Sequence, residues 1–380
     1  MKICILTTAH SPWDERIFHK EARTLQAAGY EVVLIAPYER AEENQGVRLR
    51  AVAPLQSRWD RLWRQRAIYR AVLAERPGLV HFHDPDLLPL ALILQRWRRI
   101  PVIYDVHEYY GDSLQTRYWV PRLWRKALSR GVERFEKWAA RCCAGIVTVN
   151  QHMAGLFRSG PSEVIVLHNY PLREQFRLPR PSAWKSPLVL YLGGMNRERG
   201  LEVILRALCI VRETHPQVRA VLVGPVDTSD LGAEFADLTV WEERANVRFR
   251  GRIPYEDVPD LLRECSIALV PLLATLNYQK AIPVKLLEYM AAGLPVVGSD
   301  FGYIREIILR NDCGLLKPAG DAQALAEGVC WLVEHPTEAL RLGQNGWDAF
   351  AREYTWEKEQ DKLLDLYARV LDGKKDDRER

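Results

Sequence analysis

The sequence predicts an α/β protein made of two doubly wound, Rossmann-like domains of parallel strands facing a central cleft. Three observations predict it: short apolar runs alternate with helical stretches in both halves, a proline-rich break separates the halves, and 380 residues fit two domains of about 100–200 residues better than one core. In the first half the apolar runs 2–7, 31–36, 79–83, 101–105 and 145–149 read as buried strands. The stretches near 15–28, 60–75, 86–97 and 120–142 read as the helices between them. From Tyr170-Pro171 the chain carries prolines at 171, 179, 181 and 187 with little periodicity, which marks 171–187 as a linker between an N-terminal domain at 1–170 and a second domain at 188–355. The second series runs strand 188–193, helix 200–213, strands near 219–223 and 247–249, helix 257–264, strand 267–270, helix 284–292, strand 295–298 and helix 321–334. A last helix at 356–371 follows Tyr354-Thr355-Trp356, and 372–380 reads as a disordered tail.

Composition narrows the class. Hydrophobic residues at 48% and charged residues at 27% are those of an ordinary soluble protein, and no apolar run approaches the roughly 18–20 residues that span a bilayer. Lys2 leads directly into Ile3-Cys4-Ile5-Leu6, a run that reads as a first strand rather than a signal peptide, so the expected location is cytoplasmic. Seven cysteines (4, 142, 143, 209, 265, 313, 330) lack metal-type pair spacing and read as reduced thiols. The net charge of +4 hides an asymmetry: residues 1–180 hold 28 Lys/Arg against 18 Asp/Glu, and residues 181–380 hold 25 against 31. A basic first half points to an anionic partner for that half alone.

The most informative stretch is PVKLLEYMAAGLPVVGS at 283–299. Lys285, Glu288 and Tyr289 share a helical face at three- and four-residue spacing, and Gly293, followed by Leu294-Pro295, closes the helix before the strand Val296-Val297. Strand edges of this kind are where open α/β sheets bind nucleotides. At 188–208, LVLYLGGMNRERGLEVILRAL reads as strand, glycine turn and helix. Gly193-Gly194 lets backbone approach a ligand closely, and Arg197 and Arg199 can meet a pyrophosphate. In the first half, VIYDVHEYYGD at 102–112 sets His107 and Glu108 just past a strand end. VHFHDPDLLP at 80–89 sets His83, Asp84 and Asp86 at another, where helix capping by either aspartate is the plain reading. The HxHD spacing also suggests a metal centre but lacks an obvious third and fourth ligand, so no metal is assigned. The loop TTAHSPWDER at 7–16 contributes His10, Asp14 and Arg16, for which capping and surface salt bridging are the plain alternatives.

Taken together these motifs resemble the nucleotide-sugar signature of retaining GT-B glycosyltransferases, specifically glycosyltransferase family 4 of the glycosyl transferase group 1 type, along most of the chain. The resemblance implies that Glu288 holds the donor ribose, that Lys285, Arg197 and Arg199 neutralise the diphosphate, that His107 stands beside the transferred sugar with Glu108, and that the last helix crosses back to the N-terminal domain. It implies an acceptor side formed by His10, Asp14, Arg16, His83 and Asp84, and places Asn169 at the hinge. Two positions depart from the family pattern. Gly194 stands where the family has an arginine. Lys280 stands where it has the glutamate that touches the donor sugar, which leaves Asn277, Tyr278 and Lys280 as candidates at that edge. The implied function is transfer of a sugar from a nucleoside diphosphate sugar to a lipid-linked or polysaccharide acceptor in cell-surface glycan or glycolipid assembly, with no cofactor and no metal strictly required.

Two basic, aromatic helices extend the expectation to peripheral contact with the inner face of the plasma membrane. Trp59, Leu62 and Trp63 lie among Arg58, Arg61, Arg64, Arg66 and Arg70. Trp119, Trp124, Leu128, Phe135 and Trp138 alternate with many basic residues, although aromatic stripes are also ordinary core. Two other readings use the same fold: a nucleotide-sugar epimerase, which needs no acceptor, and a noncatalytic nucleotide-sugar-binding or membrane scaffold subunit. No recognised nucleic-acid-reading module is present in the sequence.

Overall fold

The computed structural model describes residues 1–53, 60–107, 122–160, 162–176 and 187–379. They divide into two units, Met1–Asn169 with Glu357–Arg380, and Tyr170–Trp356.

The first unit is an eight-stranded sheet in the order β3-β4-β2-β1-β5-β6-β7-β8. Its strands are β1 (Lys2–Leu6), β2 (Glu31–Pro37), β3 (Glu42–Asn44), β4 (Val47–Val52), β5 (Leu79–Phe82), β6 (Val102–Val106), β7 (Gly145–Thr148) and β8 (Glu163–Val166). All neighbours pair in parallel except β3 with β4. Central strands covered on both faces must be apolar on both, and Ile3, Cys4, Ile5 and Leu6 of β1 are all buried. The chain winds from β1 outward to β4, then returns to β5 on the other side of β1, so the strand order reverses between β1 and β5. Reversal leaves a crevice past the carboxyl ends of those two strands, because their crossovers leave on opposite faces.

The second unit is a six-stranded, wholly parallel sheet, β11-β10-β9-β12-β13-β14. Its strands are β9 (Leu188–Leu192), β10 (Arg219–Val223), β11 (Val247–Arg250), β12 (Ile267–Val270), β13 (Val296–Ser299) and β14 (Gly314–Lys317). The two-residue period of the pleat sorts its side chains into two cores. Leu190, Val221, Val223, Ala268, Val270 and Val296 pack on one face, and Val189, Tyr191, Ala220, Leu222, Ile267, Leu269 and Val297 on the other. Here the order reverses between β9 and β12. Backbones come close beside that crevice: a Cβ at Gly200, whose φ is +81°, would lie 2.1 Å from the Pro271 carbonyl oxygen.

The structure differs from the sequence reading in several elements. Strands β3, β4, β8 and β14 and the helices Gly302–Asn311 and Pro336–Glu353 were not expected. The strands are short and lie at or beside sheet edges, and β4 interleaves Arg48 and Arg50 with apolar residues, whereas β8 offers only the short run Val164–Leu167. The helix expected near 15–28 opens as a π-helix, Glu15–Ala22, before Arg23–Ala27. Part of the expected linker 171–187 is core of the second unit, since Phe176 packs there beside Tyr170; residues 177–186 lie outside the described residues. The last helix runs Trp356–Glu379 rather than ending at 371, and replaces the expected disordered tail. Extending a helix already docked through Leu363, Leu366 and Tyr367 costs little, and no proline interrupts 372–379. Of the seven cysteines, all free, Cys4, Cys143, Cys265 and Cys313 are buried, and burial pushes each of these four thiols up to about 12.

One buried acid makes the first unit sensitive to pH. Glu136, on helix Arg122–Ala140, accepts a 2.7 Å bond from the Tyr104 hydroxyl of β6. Burial pushes its carboxyl up from 4.5 to about 7 despite that bond. The folded state therefore holds this proton more tightly than the unfolded chain, and the stability it contributes is present below pH 4.5 and lost as pH rises to about 7. Glu136→Gln is expected to be more stable than the parent at pH 8, by up to roughly 3 kcal/mol, and equal to it near pH 4.5. Urea midpoints across this range, equally spaced at both ends, would contradict it.

Candidate active site

Two clusters of polar side chains stand at the two strand-order reversals, one in each unit.

In the first unit the loop after β1 is pinned to the loop after β5. Asp84 Oδ2 accepts from Thr7 Oγ1 at 2.8 Å and from the Thr8 amide at 2.7 Å, and Thr8 Oγ1 donates to Asp86 Oδ1 at 2.7 Å. Asp84 therefore secures a loop; it makes no side-chain cap to the helical turn Pro85–Leu87. Asp14 is the cap: its carboxylate accepts from the amides of Arg16 and Ile17 and opens the helix Glu15–Ala22. Burial pushes the Asp14 carboxyl up, and the hydrogen bond and charge of His10 bring it below its usual value.

His107 ends β6 pointing at this mouth. Its Nδ1 lies 3.3 Å from Asp105 Oδ1 and its Nε2 lies 3.1 Å from Nε2 of His10. A carboxylate at Nδ1 fixes the proton there in the neutral ring, which leaves His107 Nε2 as acceptor from His10. His10 in turn has Asp14 Oδ2 at 3.6 Å and Asp84 Oδ1 at 3.7 Å. Asp105 is held from below by Arg16, whose Nε and Nη2 donate to Oδ2 at 3.1 and 2.7 Å while Nη1 donates to the Leu167 carbonyl at 3.1 Å. Burial alone would raise the Asp105 carboxyl; the Arg16 guanidinium and the His107 bond hold it well below the usual carboxylate range.

Three residues expected on the acceptor side face inward instead. Arg16, His83 and Asp84 are buried, and the named partners of all three belong to the first unit. A guanidinium in the first turn of a helix lying on the sheet reaches the carboxylate of the central strand more readily than solvent, which also removes the surface salt bridge as a reading of Arg16. Glu108 lies outside the described residues. Sequence reading missed Asp105, whose position inside an apolar strand is itself a signal, because a buried aspartate needs a partner.

In the second unit the turn after β9 gathers cations. Gly193 has φ of +118°, and a Cβ there would stand 3.1 Å from Lys285 Nζ, while one at Gly194 would stand 3.3 Å from Arg199 Nη1. Glycine thus leaves room for both cations at the turn. Lys285 sits in the first turn of helix Val284–Ala292, with Nζ 3.8 Å from the centre of the Tyr191 ring. Arg199 donates from Nε to the Tyr278 hydroxyl at 3.1 Å, and Tyr191 donates to the Gly194 carbonyl at 2.9 Å. The Leu192 amide donates to the Tyr289 hydroxyl at 2.7 Å, so Tyr289 is a buried strut for β9 rather than part of a charged face. Lys285 Nζ and Asn277 Oδ1 are buried with no hydrogen-bond partner among the described residues. Burial and the nearby Arg199 push the Lys285 ammonium well below its usual value, with Glu288 opposing them.

Of the residues the sequence singled out, Gly193, Gly194, Arg199, Lys285 and Tyr278 meet directly, and Glu288 follows one turn along the Lys285 helix, buried. Arg197 is exposed, its amide donating to Asp230 Oδ1 at 3.3 Å. Lys280 and Asn277 share the short helix Leu276–Lys280 with Tyr278. Two cations and a glycine turn at the reversal of a parallel sheet are an arrangement that can receive a polyanion.

Comparison with known proteins identifies the family. Residues 186–335 match the family described as glycosyl transferases group 1, and residues 14–170 match glycosyltransferase family 4. The chain belongs to the group 1, family 4 type of glycosyltransferases. Similar curated proteins include a glycogen synthase of Mycobacterium tuberculosis, 24% identical over 306 residues, covering 79% of this chain and 70% of that protein. A phosphatidyl-myo-inositol mannosyltransferase of Mycobacterium leprae is 29% identical over 297 residues, 77% of this chain and 73% of its own. Among solved structures, Anabaena HepE in complex with UDP and glucose superimposes with a TM-score of 0.72 at 16% identity, covering 97% of this chain and 99% of that one. The fold of this glycosyltransferase is accordingly GT-B, two Rossmann-like domains, as the sequence predicts.

The unpartnered Lys285 gives an expectation for the free enzyme. A buried ammonium without a hydrogen bond destabilises the fold that holds it, whereas methionine fills the same space without charge. Lys285→Met is expected to raise the urea midpoint of the ligand-free glycosyltransferase, by about 1–3 kcal/mol in stability. A lower midpoint would show that the ammonium is already satisfied without ligand.

Proposed function

We propose that this glycosyltransferase moves a sugar, with retention of anomeric configuration, from a nucleoside diphosphate sugar bound in the second unit to a lipid-linked or glycan acceptor in cell-surface glycan or glycolipid assembly. The observation that carries the donor half is the buried Lys285 ammonium beside Arg199 at the Gly193-Gly194 turn, two cations held close together with no anion of the protein bonded to Lys285 Nζ among the described residues. Holding like charges together is unfavourable until a polyanion arrives, and the leaving diphosphate gains charge as the glycosidic bond breaks, so the same pair stabilises the transition state more than the ground state. Glu288, one turn from Lys285, is assigned to the ribose. In the first unit His107, oriented by Asp105 and meeting His10, is assigned to the reacting sugar. Lys280 in place of the glutamate makes the sugar contact the least family-like part of the site. No dedicated nucleophile is needed if the leaving phosphate accepts the acceptor's proton on the same face.

Isothermal titration with UDP, GDP, ADP and dTDP and their sugars tests the donor half. One base family is expected to bind, with affinity falling at least about tenfold in Lys285→Met and in Glu288→Ala, as loss of a charged contact implies. Affinity unchanged in both variants would remove the assignment.

The lipid-linked half is supported by helix Arg122–Ala140. Trp124, Leu128, Phe135 and Trp138 recur at helical spacing and are 68, 42, 41 and 54% exposed, while Ser129, Glu136 and Ala140 of the far side are buried. Lys126, Arg130 and Arg134 are exposed on the same helix. An apolar stripe flanked by cations suits an anionic membrane interface. Trp63 is also exposed, whereas Trp59 and Trp119 lie outside the described residues, and no helix among those described is long and apolar enough to cross a membrane. Sedimentation with anionic vesicles is expected to bring down the parent and not Trp124→Ser/Trp138→Ser. Binding equal in both, or absent in the parent, would separate the acceptor from the membrane.

A further inference from the structure

Behind the His10–His107 pair lies a second cluster that shares only Asp105 with it. His81 of β5 and His83 just beyond it are two residues apart and so point to the same face of the sheet. The pairing of β5 with β6, His81 opposite Ile103 and Phe82 opposite Tyr104, brings Asp105 level with His83 on that face. The helix Glu15–Ala22 crosses above and contributes Glu21. All four side chains are fully buried, and one ligand atom of each lies within 4.8 Å of the others. Sequence spacing alone supplied only the histidines; the fold supplies two carboxylates to them.

The cluster is left short of hydrogen bonds. Among the described residues His83 has no hydrogen-bond partner at either ring nitrogen and His81 has none at Nε2, while Glu21 Oε1 has the Arg16 ion pair and Oε2 has no hydrogen bond. A buried polar atom left this way has lost water without gaining a replacement, so several together call for a partner. The groups behind the cluster already set its geometry. Tyr367 of the last helix meets His81 Nδ1 at 2.8 Å, which turns Nε2 inward, 3.9 Å from Asp105 Oδ2; with Nδ1–H donating to the Tyr367 oxygen, Nε2 carries the lone pair. His83 Nε2 stands 3.3 Å from Glu21 Oε2. Arg16 lies 2.9 Å from Glu21 Oε1 and 2.7 Å from Asp105 Oδ2, steadying both carboxylates from one side as hydrogen-bond donors commonly steady metal-binding carboxylates.

We propose that Glu21, His81, His83 and Asp105 form an internal site for one divalent transition-metal ion of the zinc class, tying helix Glu15–Ala22 to β5 and β6. Two imidazole nitrogens with two carboxylate oxygens suit zinc-class ions, whereas magnesium and calcium favour oxygen alone. Burial keeps both imidazoles in the neutral form that carries a lone pair. Two carboxylates and the Arg16 guanidinium sum to one negative charge, so a divalent ion leaves the cluster at one positive charge with Glu21 ionised. Burial of all four ligands makes the ion a structural clasp rather than a contact for substrate.

The test is metal content. The full chain is produced in zinc-supplemented medium, desalted, checked for folding by circular dichroism and analysed by elemental mass spectrometry, alongside Glu21→Gln and His83→Gln. The parent is expected to retain about one equivalent and both variants to lose most of it. A folded parent with far less than one equivalent overturns the proposal and leaves Glu21 as a neutral, protonated partner of His83. Metal retained equally in the variants also overturns it. If His83→Gln does not fold, Glu21→Gln, which keeps size and hydrogen bonding, decides. If neither folds, parent grown with cobalt decides, since visible ligand-field bands report an internal nitrogen and oxygen site and their absence rules it out.

Discussion

The first unit depends on one buried pairing, Arg16 with Asp105. A guanidinium and a carboxylate inside a fold are each costly alone, and their attraction offsets the desolvation only when geometry is good and remaining donors are used. Here two guanidinium nitrogens meet one carboxylate oxygen, a third reaches the Leu167 carbonyl, and the other carboxylate oxygen orients His107. One helix, the central strand and the start of the stretch after β8 are thereby held together through charge that cannot be removed from one side without stranding the other. His107 takes its direction from Asp105, and Asp105 takes its own from Arg16.

The second unit solves the opposite problem. Its cations are close together and Lys285 Nζ has no hydrogen bond among the described residues, an electrostatic cost that any anion held there would relieve. A small part of the architecture suffices for this: a glycine turn with no side chains in the way, a lysine one residue into a helix, and an aromatic ring below it. The two units share a doubly wound plan, yet one buries paired charge beneath His107 and the other leaves Lys285 Nζ without a hydrogen bond among the described residues.

Much of this was legible in the sequence because the strongest signals are local. Continuous apolar runs identify central strands such as β1, β6, β9 and β12, and the segments around Gly193 and Lys285 carry their chemistry within a few residues. Edge strands such as β4 were not legible, since alternating arginines imitate a loop, and neither was the π-helical opening at Glu15–Ala22. The inward turn of Arg16 and His83 could not be read either. Whether a polar residue at a strand end faces solvent or interior depends on a partner about 90 residues away in the case of Arg16, and only the register of β5 and β6 brings Asp105 level with His83. The glutamate missing at Lys280 was visible, but its consequence depends on a ligand that the sequence does not name.

The last helix carries a consequence for how the chain is made. The first unit takes in Glu357–Arg380, which buries Leu363, Leu366 and Tyr367 in it, yet the whole of the second unit, Tyr170–Trp356, precedes that helix in the chain. Synthesis from the amino terminus therefore delivers a contiguous second unit able to complete its core while the first still waits for its closing segment, with His81 lacking the Tyr367 hydroxyl until the end. The unit begun first is therefore the one whose last segment is made last.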